Sequence, residues 1–251
     1  MAEISFHDIN CELGRRTAPR LEQRLTTEEV SLALNYAGIE RALAYHAMAK
    51  EYDPREGNDA LVEIVRDNRI FEPCFVILPE ATGEFPYGDA LIRYLADGGA
   101  AAVRLFPKSH GYGLGQTWCS TMFGALAEKG VPVLIELAES SWDEIDGVLT
   151  HNPRLNLVVV RAGYRNARWM YPMLNAHKGL YLETSVMMTY MLFEDVTERF
   201  GAERLIFGTA LPDCSPAAAI APILYCDIDD ADKDLIASGG AKRLLWKGVG
   251  S

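Results

Sequence analysis

The stretch LNLVVVRAGY, residues 155–164, is a run of apolar, largely β-branched residues that ends in a full positive charge at Arg161. Such a run is typical of a strand buried on both faces of a parallel sheet. A guanidinium stays protonated in proteins, so a charge placed at the end of a buried strand needs a partner that holds it. The stretch therefore predicts an interior strand that carries a charged group at its C-terminal end.

Seven more short apolar runs occur along the chain, and amphipathic helical patterns lie between them. The predicted strands cover residues 3–10, 41–47, 71–79, 100–107, 131–137, 155–161, 179–185 and 204–210. The predicted helices cover residues 26–38, 87–99, 118–130, 141–153 and 190–201, with two closing helices in 227–246.

Eight strand–helix units in about 250 residues predict an α/β fold of the (β/α)8 TIM-barrel type. An open doubly wound sheet is the alternative, but eight units in series without a GxGxxG motif favour closure into a barrel. Because no linker or shift of composition interrupts the chain, we expect residues 1–251 to form a single domain.

Composition and charge narrow the class of function. The chain has 251 residues, of which 49% are hydrophobic, and its net charge of −11 argues against nucleic acid or an anionic membrane as partner. Its five cysteines are odd in number and form no CxxC pair, which argues against a disulfide framework or a structural zinc site. The sequence shows no signal peptide and no apolar run long enough to span a bilayer, so we expect a cytoplasmic protein.

Polar residues recur where the predicted strands end, and in a barrel that end is the functional face. Together they predict a pocket for a small molecule at the barrel mouth. The residues at these positions are Asp8, Asn10, Glu12, Tyr45, His46, Glu80, Arg104, Lys108, His110, Glu136, Arg161, Glu183, Thr184, Ser185, Thr209, Asp213 and Cys214.

Four segments and the closing stretch DIDDADKDLIASGGAKRLL (227–245) suggest a family. HDINCELGRR (7–16), AGIERALAYHA (37–47), NPRLNLVVVRAG (152–163) and ERLIFGTALP (203–212) resemble the amidohydrolase superfamily, and in particular its amidohydrolase-related branch of metal-dependent hydrolases and decarboxylases. The resemblance covers nearly the whole chain. It implies a TIM barrel that holds a divalent metal at its mouth.

The usual metal ligands of that family are substituted in this chain. The resemblance implies a His-x-His pair at Asn10 and Glu12, a histidine at Glu136, another at Arg161 and an aspartate at Ala210. At ~4 Å, a guanidinium and a divalent ion would repel each other by about 8 kcal/mol at an effective dielectric constant near 20. We therefore expect neither the usual metal nor any other cofactor.

Two readings of the function follow. In the first, the protein is a hydrolase or a decarboxylase-type lyase that acts on a small anionic molecule without the usual metal. Arg161 pairs with Glu136, Glu12 or both, and these three residues are the catalytic candidates. Seven residues are expected to bind the substrate: Asn10, His46, Arg104, Lys108, His110, Glu183 and Asp213.

In the second reading the barrel is a catalytically degenerate homologue whose ion pairs fill the mouth, and it binds a metabolite or a partner without chemistry. A third possibility is an oxygen-ligand site for Mg, Mn or Ca at Glu12, Glu136 and Asp213, with His46 as a fourth candidate ligand. The segment RRT (15–17) is either an anion-binding turn beside Glu12 or, in the favoured interpretation, a solvated turn.

A homodimer is also expected. The methionine-rich segment VMMTYMLF (186–193) is apolar, and four further large residues precede it in the chain. Such residues are typical of a core or of a subunit interface. The four are Trp169, Met170, Tyr171 and Met173.

Overall fold

Eight parallel strands follow one another around the sheet in the order in which they occur along the chain. The computed structural model describes residues 4–20 and 26–248. The strands are β1 (Phe6–Leu13), β2 (Ile39–His46), β3 (Phe71–Val76), β4 (Ala102–Leu105), β5 (Val133–Glu136), β6 (Leu157–Val160), β7 (Leu180–Glu183) and β8 (Leu205–Ile206).

Helices cross over between consecutive strands and cover the outside of the sheet. They are α1 (Thr27–Tyr36), α2 (Ala47–Glu51), α3 (Pro54–Asp67), α4 (Gly88–Asp97), α5 (Gln116–Lys129), α6 (Trp142–His151), α7 (Ala167–Ala176), α8 (Leu192–Phe200), α9 (Pro216–Tyr225), α10 (Asp230–Asp234) and α11 (Gly240–Leu244), with a π-helical segment, Leu235–Gly239, between the last two.

The sheet closes where the first strand meets the chain that follows the last strand. The backbone N–H of Ile9 donates to the carbonyl of Phe207 at 3.0 Å, and that of Glu12 donates to the carbonyl of Leu211 at 2.9 Å. These bonds give β1 a second neighbour beside β2, which leaves no free edge at this point. The predicted TIM barrel is therefore confirmed.

Alternation along the strands divides the core into two layers. In β6, Leu157 and Val159 belong to the large apolar cluster that packs against the helices. Val158 and Val160 belong to a smaller cluster inside the barrel. Both faces of the strand are thus buried, as the run LNLVVV predicts, and only the residue after it can carry a charge to the mouth.

Local signals account for several helix starts. Thr26 caps α1 in a capping box with Glu29, since each side chain accepts from the other residue's backbone N–H. Asp53 caps α3, whose first residue is Pro54. Among the residues that the structure describes, no helix is long and apolar enough to cross a membrane.

Candidate functional site

The C-terminal ends of the strands surround a cavity of about 360 Å³ at the barrel mouth. Charged side chains dominate its wall, and they come from strand ends and from the loops that follow. The lining residues are Asn10, Glu12, Arg16, Ala18, Arg20, Tyr45, Ala47, Lys50, Glu51, Arg104, Glu136, Arg161, Ala210, Leu211 and Asp213.

Arg16 fixes one side of this cavity. Its guanidinium binds both carboxylate oxygens of Glu12, with Nη2 at 2.8 Å from Oε2, and its Nη1 donates to Oδ1 of Asp213 at 2.6 Å. The hydroxyl of Tyr45 also donates to Glu12. The carboxylate of Glu12 therefore has a partner on each oxygen before any ligand arrives.

Arg161 continues the row of ion pairs. Its Nη1 donates to Oδ2 of Asp213 at 2.8 Å, and its Nε lies 3.4 Å from Oε1 of Glu136. The other oxygen of Glu136 lies 3.6 Å from Nη2 of Arg104. Acids and arginines thus alternate across the mouth from Glu12 to Arg104, in a chain of three carboxylates and three guanidinium groups.

This row corrects part of the pairing expected for Arg161. The pair with Glu136 is present, but the closest partner of Arg161, and the one that it donates a hydrogen bond to, is Asp213, on the loop after β8. Glu12 does not pair with Arg161, because Arg16 and Tyr45 already bind it. Arg16 lies in the segment RRT that was interpreted as a solvated turn. Arg15 and Thr17 are exposed, as that interpretation expects, but it is wrong for Arg16, which binds Glu12 and Asp213.

Burial and charge act in opposite directions on these groups. Burial alone raises the pKa of a carboxyl group, but the hydrogen bonds and charges of Arg16 and Arg161 outweigh it and lower the pKa of Asp213 to about 2. Burial lowers the pKa of a guanidinium, yet the neighbouring carboxylates raise the pKa of both arginines above the ordinary value. All three groups are therefore charged at neutral pH.

Arg104 lies at the floor of the cavity and is only 2% exposed. Its Nη1 donates to Oδ1 of Asn10 at 2.7 Å, and its guanidinium lies over the rings of Tyr45 and Phe106 at 4.5 and 5.2 Å. Its Nε has no hydrogen-bond partner among the described residues. With one hydrogen bond for five N–H groups, this buried cation is poorly satisfied by the protein.

A buried layer below the cavity orients Asn10. The amide of Asn10 donates to Oε2 of Glu183 at 3.0 Å, and Glu183 also accepts from the backbone N–H of Arg161 and from Ser185. Asp8 accepts from the backbone N–H of Asn10 and from Thr209. Burial raises the pKa of both acids, Asp8 and Glu183, despite these hydrogen bonds. Asp8 thus fixes the backbone of Asn10 and Glu183 fixes its side-chain amide, and the oxygen of that amide accepts the hydrogen bond from Arg104.

Four of the predicted substrate-binding residues lie outside the lining: Glu183, which belongs to the buried layer below the cavity, and Lys108, His110 and His46. Lys108 donates to the carbonyls of Ala138 and Ser140, and Nε2 of His110 contacts the carbonyl of Lys50 at 2.9 Å. His46 caps α2 through Nδ1, and burial lowers its pKa. The side chains of Lys108, His110 and His46 fasten the loops around the mouth.

His46 also explains a glycine in the loop that carries Arg16. Gly14 has a φ of +84°, and a Cβ on it would lie 2.3 Å from Nε2 of His46. Only glycine therefore fits this turn. The imidazole ring packs against the turn, and the turn brings Arg16 over the mouth.

The backbone is strained at two positions of the mouth. Arg161 and Ala210 have φ values of +54° and +56°, which side chains other than glycine rarely adopt. Such conformations cost about 1–3 kcal/mol each and persist only where the surrounding structure imposes them. In Arg161 this geometry also turns the backbone N–H toward Glu183.

The family model described as amidohydrolase matches residues 35–246, which is more than half of the chain. The chain belongs to the amidohydrolase family. No curated protein matches this amidohydrolase-family chain in sequence. Within the described residues, no group of three or more His, Cys, Asp or Glu side chains is arranged to hold a metal ion.

Solved structures similar to this amidohydrolase-family protein show the same fold. An uncharacterized TIM-barrel protein from Bordetella bronchiseptica has a TM-score of 0.76 at 18% identity, covering 96% of this chain and 98% of its own. The 5-carboxyvanillate decarboxylase of Sphingomonas paucimobilis has a TM-score of 0.73 at 14% identity, covering 97% and 99%. A dihydroxybenzoic acid decarboxylase from Polaromonas, solved with manganese and the inhibitor 2-nitroresorcinol, has a TM-score of 0.67 at 16% identity, covering 96% and 97%.

Proposed function

We propose that this amidohydrolase-family protein binds a small organic anion at the barrel mouth and acts on it without a divalent metal. The reaction class is hydrolysis or carbon–carbon lyase chemistry of the decarboxylase type. The observation that carries the proposal is the environment of Arg104, a buried guanidinium that lines the cavity and makes one hydrogen bond, to Asn10.

An anion would complete the environment of Arg104. Its ion pair with Glu136 is long, at 3.6 Å, and lies beyond ordinary hydrogen-bond distance. A carboxylate accepts two parallel N–H bonds from a guanidinium, and such charge-assisted bonds are about twice as strong as neutral ones. The cavity beside Arg104 has a volume of about 360 Å³. If each non-hydrogen atom of a ligand takes roughly the 30 Å³ that a water molecule occupies in the liquid, the cavity holds a ligand of about ten such atoms.

The donor set at the mouth does not fit a divalent cation. The amide of Asn10 is shared between Glu183 and Arg104, and Arg161 is a cation. Ala210 has no donor in its side chain. We propose that the usual metal ligands are substituted here, and that the arginines supply the positive charge that the family resemblance assigns to a metal.

The alternative site of oxygen ligands is opposed by the same ion pairs. Both oxygens of Glu12 and both oxygens of Asp213 accept hydrogen bonds from arginines. A metal ion at these carboxylates would have to displace Arg16 or Arg161, or lie beside their charges. The repulsion by one guanidinium alone amounts to several kcal/mol at ~4 Å.

Glu136 is the group best placed for proton transfer. It lines the cavity, its two ion pairs of 3.4 and 3.6 Å are long, and it makes no hydrogen bond among the described residues. Its carboxylate is therefore available to accept a proton from a bound molecule or from water, or to return one. We propose Glu136 as the general acid–base residue, Arg104 and Arg161 as the anion-binding residues, and Asn10 as a positioning residue.

The structurally similar decarboxylases indicate the chemical class of the anion. One acts on 5-carboxyvanillate and another on dihydroxybenzoic acid, so both handle small aromatic carboxylic acids. We propose the same class for this protein. The rings of Tyr45 and Phe106, which lie against Arg104, would support a planar ligand that binds its charge there.

Calorimetric titration with 2,6-dihydroxybenzoate in the presence of EDTA tests the proposal. We expect binding by the wild type and a loss of about 10–100-fold in affinity for Arg104→Met, since a hydrogen bond to a charged group contributes about 1.5–3 kcal/mol. Resorcinol, which lacks the carboxylate, should bind equally weakly to both. Arg154→Met, on the far side of the barrel from the mouth, is the matched control and should bind like the wild type. Binding or turnover that appears only when manganese is added would refute the proposal.

A second candidate is a binding protein without chemistry. The observation in its favour is that arginines bind Glu12 and Asp213 and that Thr17 donates to Glu51, which leaves Glu136 as the lining carboxylate that accepts no hydrogen bond from the described residues. Product analysis by chromatography after incubation with the same acid separates the two. An enzyme loses turnover in Glu136→Gln while it still binds, whereas a binding protein forms no product even as the wild type.

A further inference from the structure

Lys50, on α2, is a second cation of the cavity wall that the protein satisfies poorly. Its side chain is 30% exposed, and its Nζ lies 3.6 Å from Oε1 of Glu139, beyond ordinary hydrogen-bond distance. That oxygen already accepts from the hydroxyl of Ser109 at 2.5 Å, and the other oxygen of Glu139 accepts from the backbone N–H of Ser109 at 2.8 Å. Among the described residues, Lys50 therefore has no acceptor for the N–H groups of its Nζ.

Lys50 and Arg104 share one aromatic neighbour, which limits the distance between their charges. Nζ of Lys50 lies 4.7 Å from the centre of the Phe106 ring, and Cζ of Arg104 lies 5.2 Å from the same point. The two charges are therefore at most about 10 Å apart. Phe106 is fully buried and lies outside the cavity lining, so it supports both cations from behind the wall. Two cations this close repel each other, and bound negative charge would relieve the repulsion.

Both cations differ in the same way from the other arginines described above. Glu136, the carboxylate paired with Arg104, also lies at 3.6 Å, and Nε of Arg104 has no partner among the described residues. Arg16 and Arg161, in contrast, donate hydrogen bonds of 2.6 and 2.8 Å to the carboxylate of Asp213. The wall thus presents two anchored arginines and two further cations that can each still bind an anion.

Two histidines fix the position of Lys50 before a ligand arrives. Nδ1 of His46 accepts from the backbone N–H of Met48 at 3.2 Å and so caps α2. Nε2 of His110 lies 2.9 Å from the carbonyl oxygen of Lys50, and because a carbonyl oxygen only accepts, Nε2 is the donor. The backbone of Lys50 is therefore held in place, which lowers the entropic cost of binding a ligand.

We propose that Lys50 forms a second anion-binding subsite and that the ligand of the mouth is a small dicarboxylate, with one carboxylate at Arg104 and the other at Lys50. This inference rests on the proposed function, which places the first carboxylate at Arg104. A benzene ring with two carboxylates in meta positions, hydrogen-bonded at about 2.8 Å at each end, reaches across a gap of up to about 10 Å. Lys50 is then a specificity-determining residue, because it distinguishes a dianion from a monoanion of the same shape.

Calorimetric titration with a matched pair of ligands in the presence of EDTA tests the second subsite. Isophthalate carries two carboxylates, whereas a neutral amide of nearly the same shape replaces one of them in 3-carbamoylbenzoate. We expect the wild type to bind isophthalate about 10–100-fold more tightly, the factor that corresponds to a hydrogen bond to a charged group. Lys50→Met should abolish this preference and leave the affinity for 3-carbamoylbenzoate unchanged. Lys50→Arg, which keeps the charge, should retain the preference.

The matched control is Lys129→Met, since Lys129 lies in the last turn of α5, outside the cavity lining. It should keep the preference of the wild type, and retained binding of 3-carbamoylbenzoate shows that Lys50→Met is folded. Equal binding of the two ligands by the wild type, or a Lys50→Met variant that keeps the preference or loses both ligands equally, would overturn the second subsite alone. A wild type that binds neither ligand would refute the anion site at Arg104 and the second subsite with it.

Discussion

Asp213 is the centre of the row of ion pairs, and its replacement by asparagine should make stability depend on pH in a defined way. The pKa of Asp213 is lowered from 3.8 to about 2 in the folded protein by Arg16 and Arg161. A difference of this size corresponds to about 2 kcal/mol of stability. Since the side chain is 19% exposed, solvent screening makes this figure an upper estimate.

The sign follows from the direction of the shift. A carboxylate with a lowered folded pKa stabilises the protein above its unfolded pKa, near 4, and loses this contribution as the pH falls toward 2. We therefore expect Asp213→Asn to unfold at a lower urea concentration than the wild type. At pH 7 its free energy of unfolding should be lower by up to about 2 kcal/mol. The difference from the wild type should shrink to about half at pH 3.

Equilibrium unfolding in urea, followed by circular dichroism at pH 7, 4 and 3, is the assay. The matched control is Glu40→Gln, an exposed carboxylate outside the mouth, which should change stability by less than about 0.5 kcal/mol at any of these pH values. A loss in Asp213→Asn that is the same at pH 7 and pH 3 would refute the electrostatic reasoning. So would the absence of any loss at pH 7.

Three further substitutions test the supports of the site by the same unfolding assay. Tyr45→Phe removes the hydroxyl that donates to Glu12 and should cost about 1.5–3 kcal/mol; a neutral result would contradict that hydrogen bond. Asn58→Ala removes two buried hydrogen bonds to the backbone of β3 and should cost about 2–4 kcal/mol, and a cost below 1 kcal/mol would argue against them. Gly57→Ala would bring a Cβ within 2.2 Å of the Ala49 backbone nitrogen, so we expect about 1–3 kcal/mol of destabilisation. A variant as stable as the wild type would contradict the close packing of α2 against α3.

The strand order could be read from the sequence because each strand is a short run buried on both faces. The run at 155–161 becomes β6, Leu157–Val160, and the other seven predicted runs overlap β1–β5, β7 and β8. The predicted strands that correspond to β3–β8 are longer than those observed because apolar residues continue past the last ladder hydrogen bond into the loops. The length of a strand depends on how far its backbone pairs with the neighbouring strands, and the sequence of one segment carries no information about that pairing.

Four helices, α2, α3, α7 and α9, were not predicted from the sequence, and the reasons can be identified. Helices α7 and α9 each contain an internal proline, Pro172 and Pro222, which breaks the expected helical pattern. The pair α2 and α3 is interrupted at Asp53. In α3 the signal was present all the same, because an aspartate cap precedes a proline at the first helical position.

The candidate site was predicted in its location but only partly in its contacts. Strand ends identify Glu136 and Arg161 because each follows an apolar run directly. Arg16 lies four residues after Glu12 in a loop, where no periodic pattern indicates its direction. Arg161 binds Asp213 rather than Glu12 because of how the residues after β6 and after β8 lie relative to each other at the mouth. This arrangement is a property of the closed barrel and not of any one segment.

Elemental analysis of the protein, purified without chelators and dialysed against manganese and zinc, tests the central claim most directly. The account holds that arginine–carboxylate pairs occupy the barrel mouth in place of a divalent ion, with Arg16 and Arg161 on Asp213. It predicts far less than one equivalent of bound divalent metal per chain, and no increase in thermal stability when metal is added. One tightly bound equivalent, lost when Glu12 and Asp213 are replaced by alanine, would contradict it.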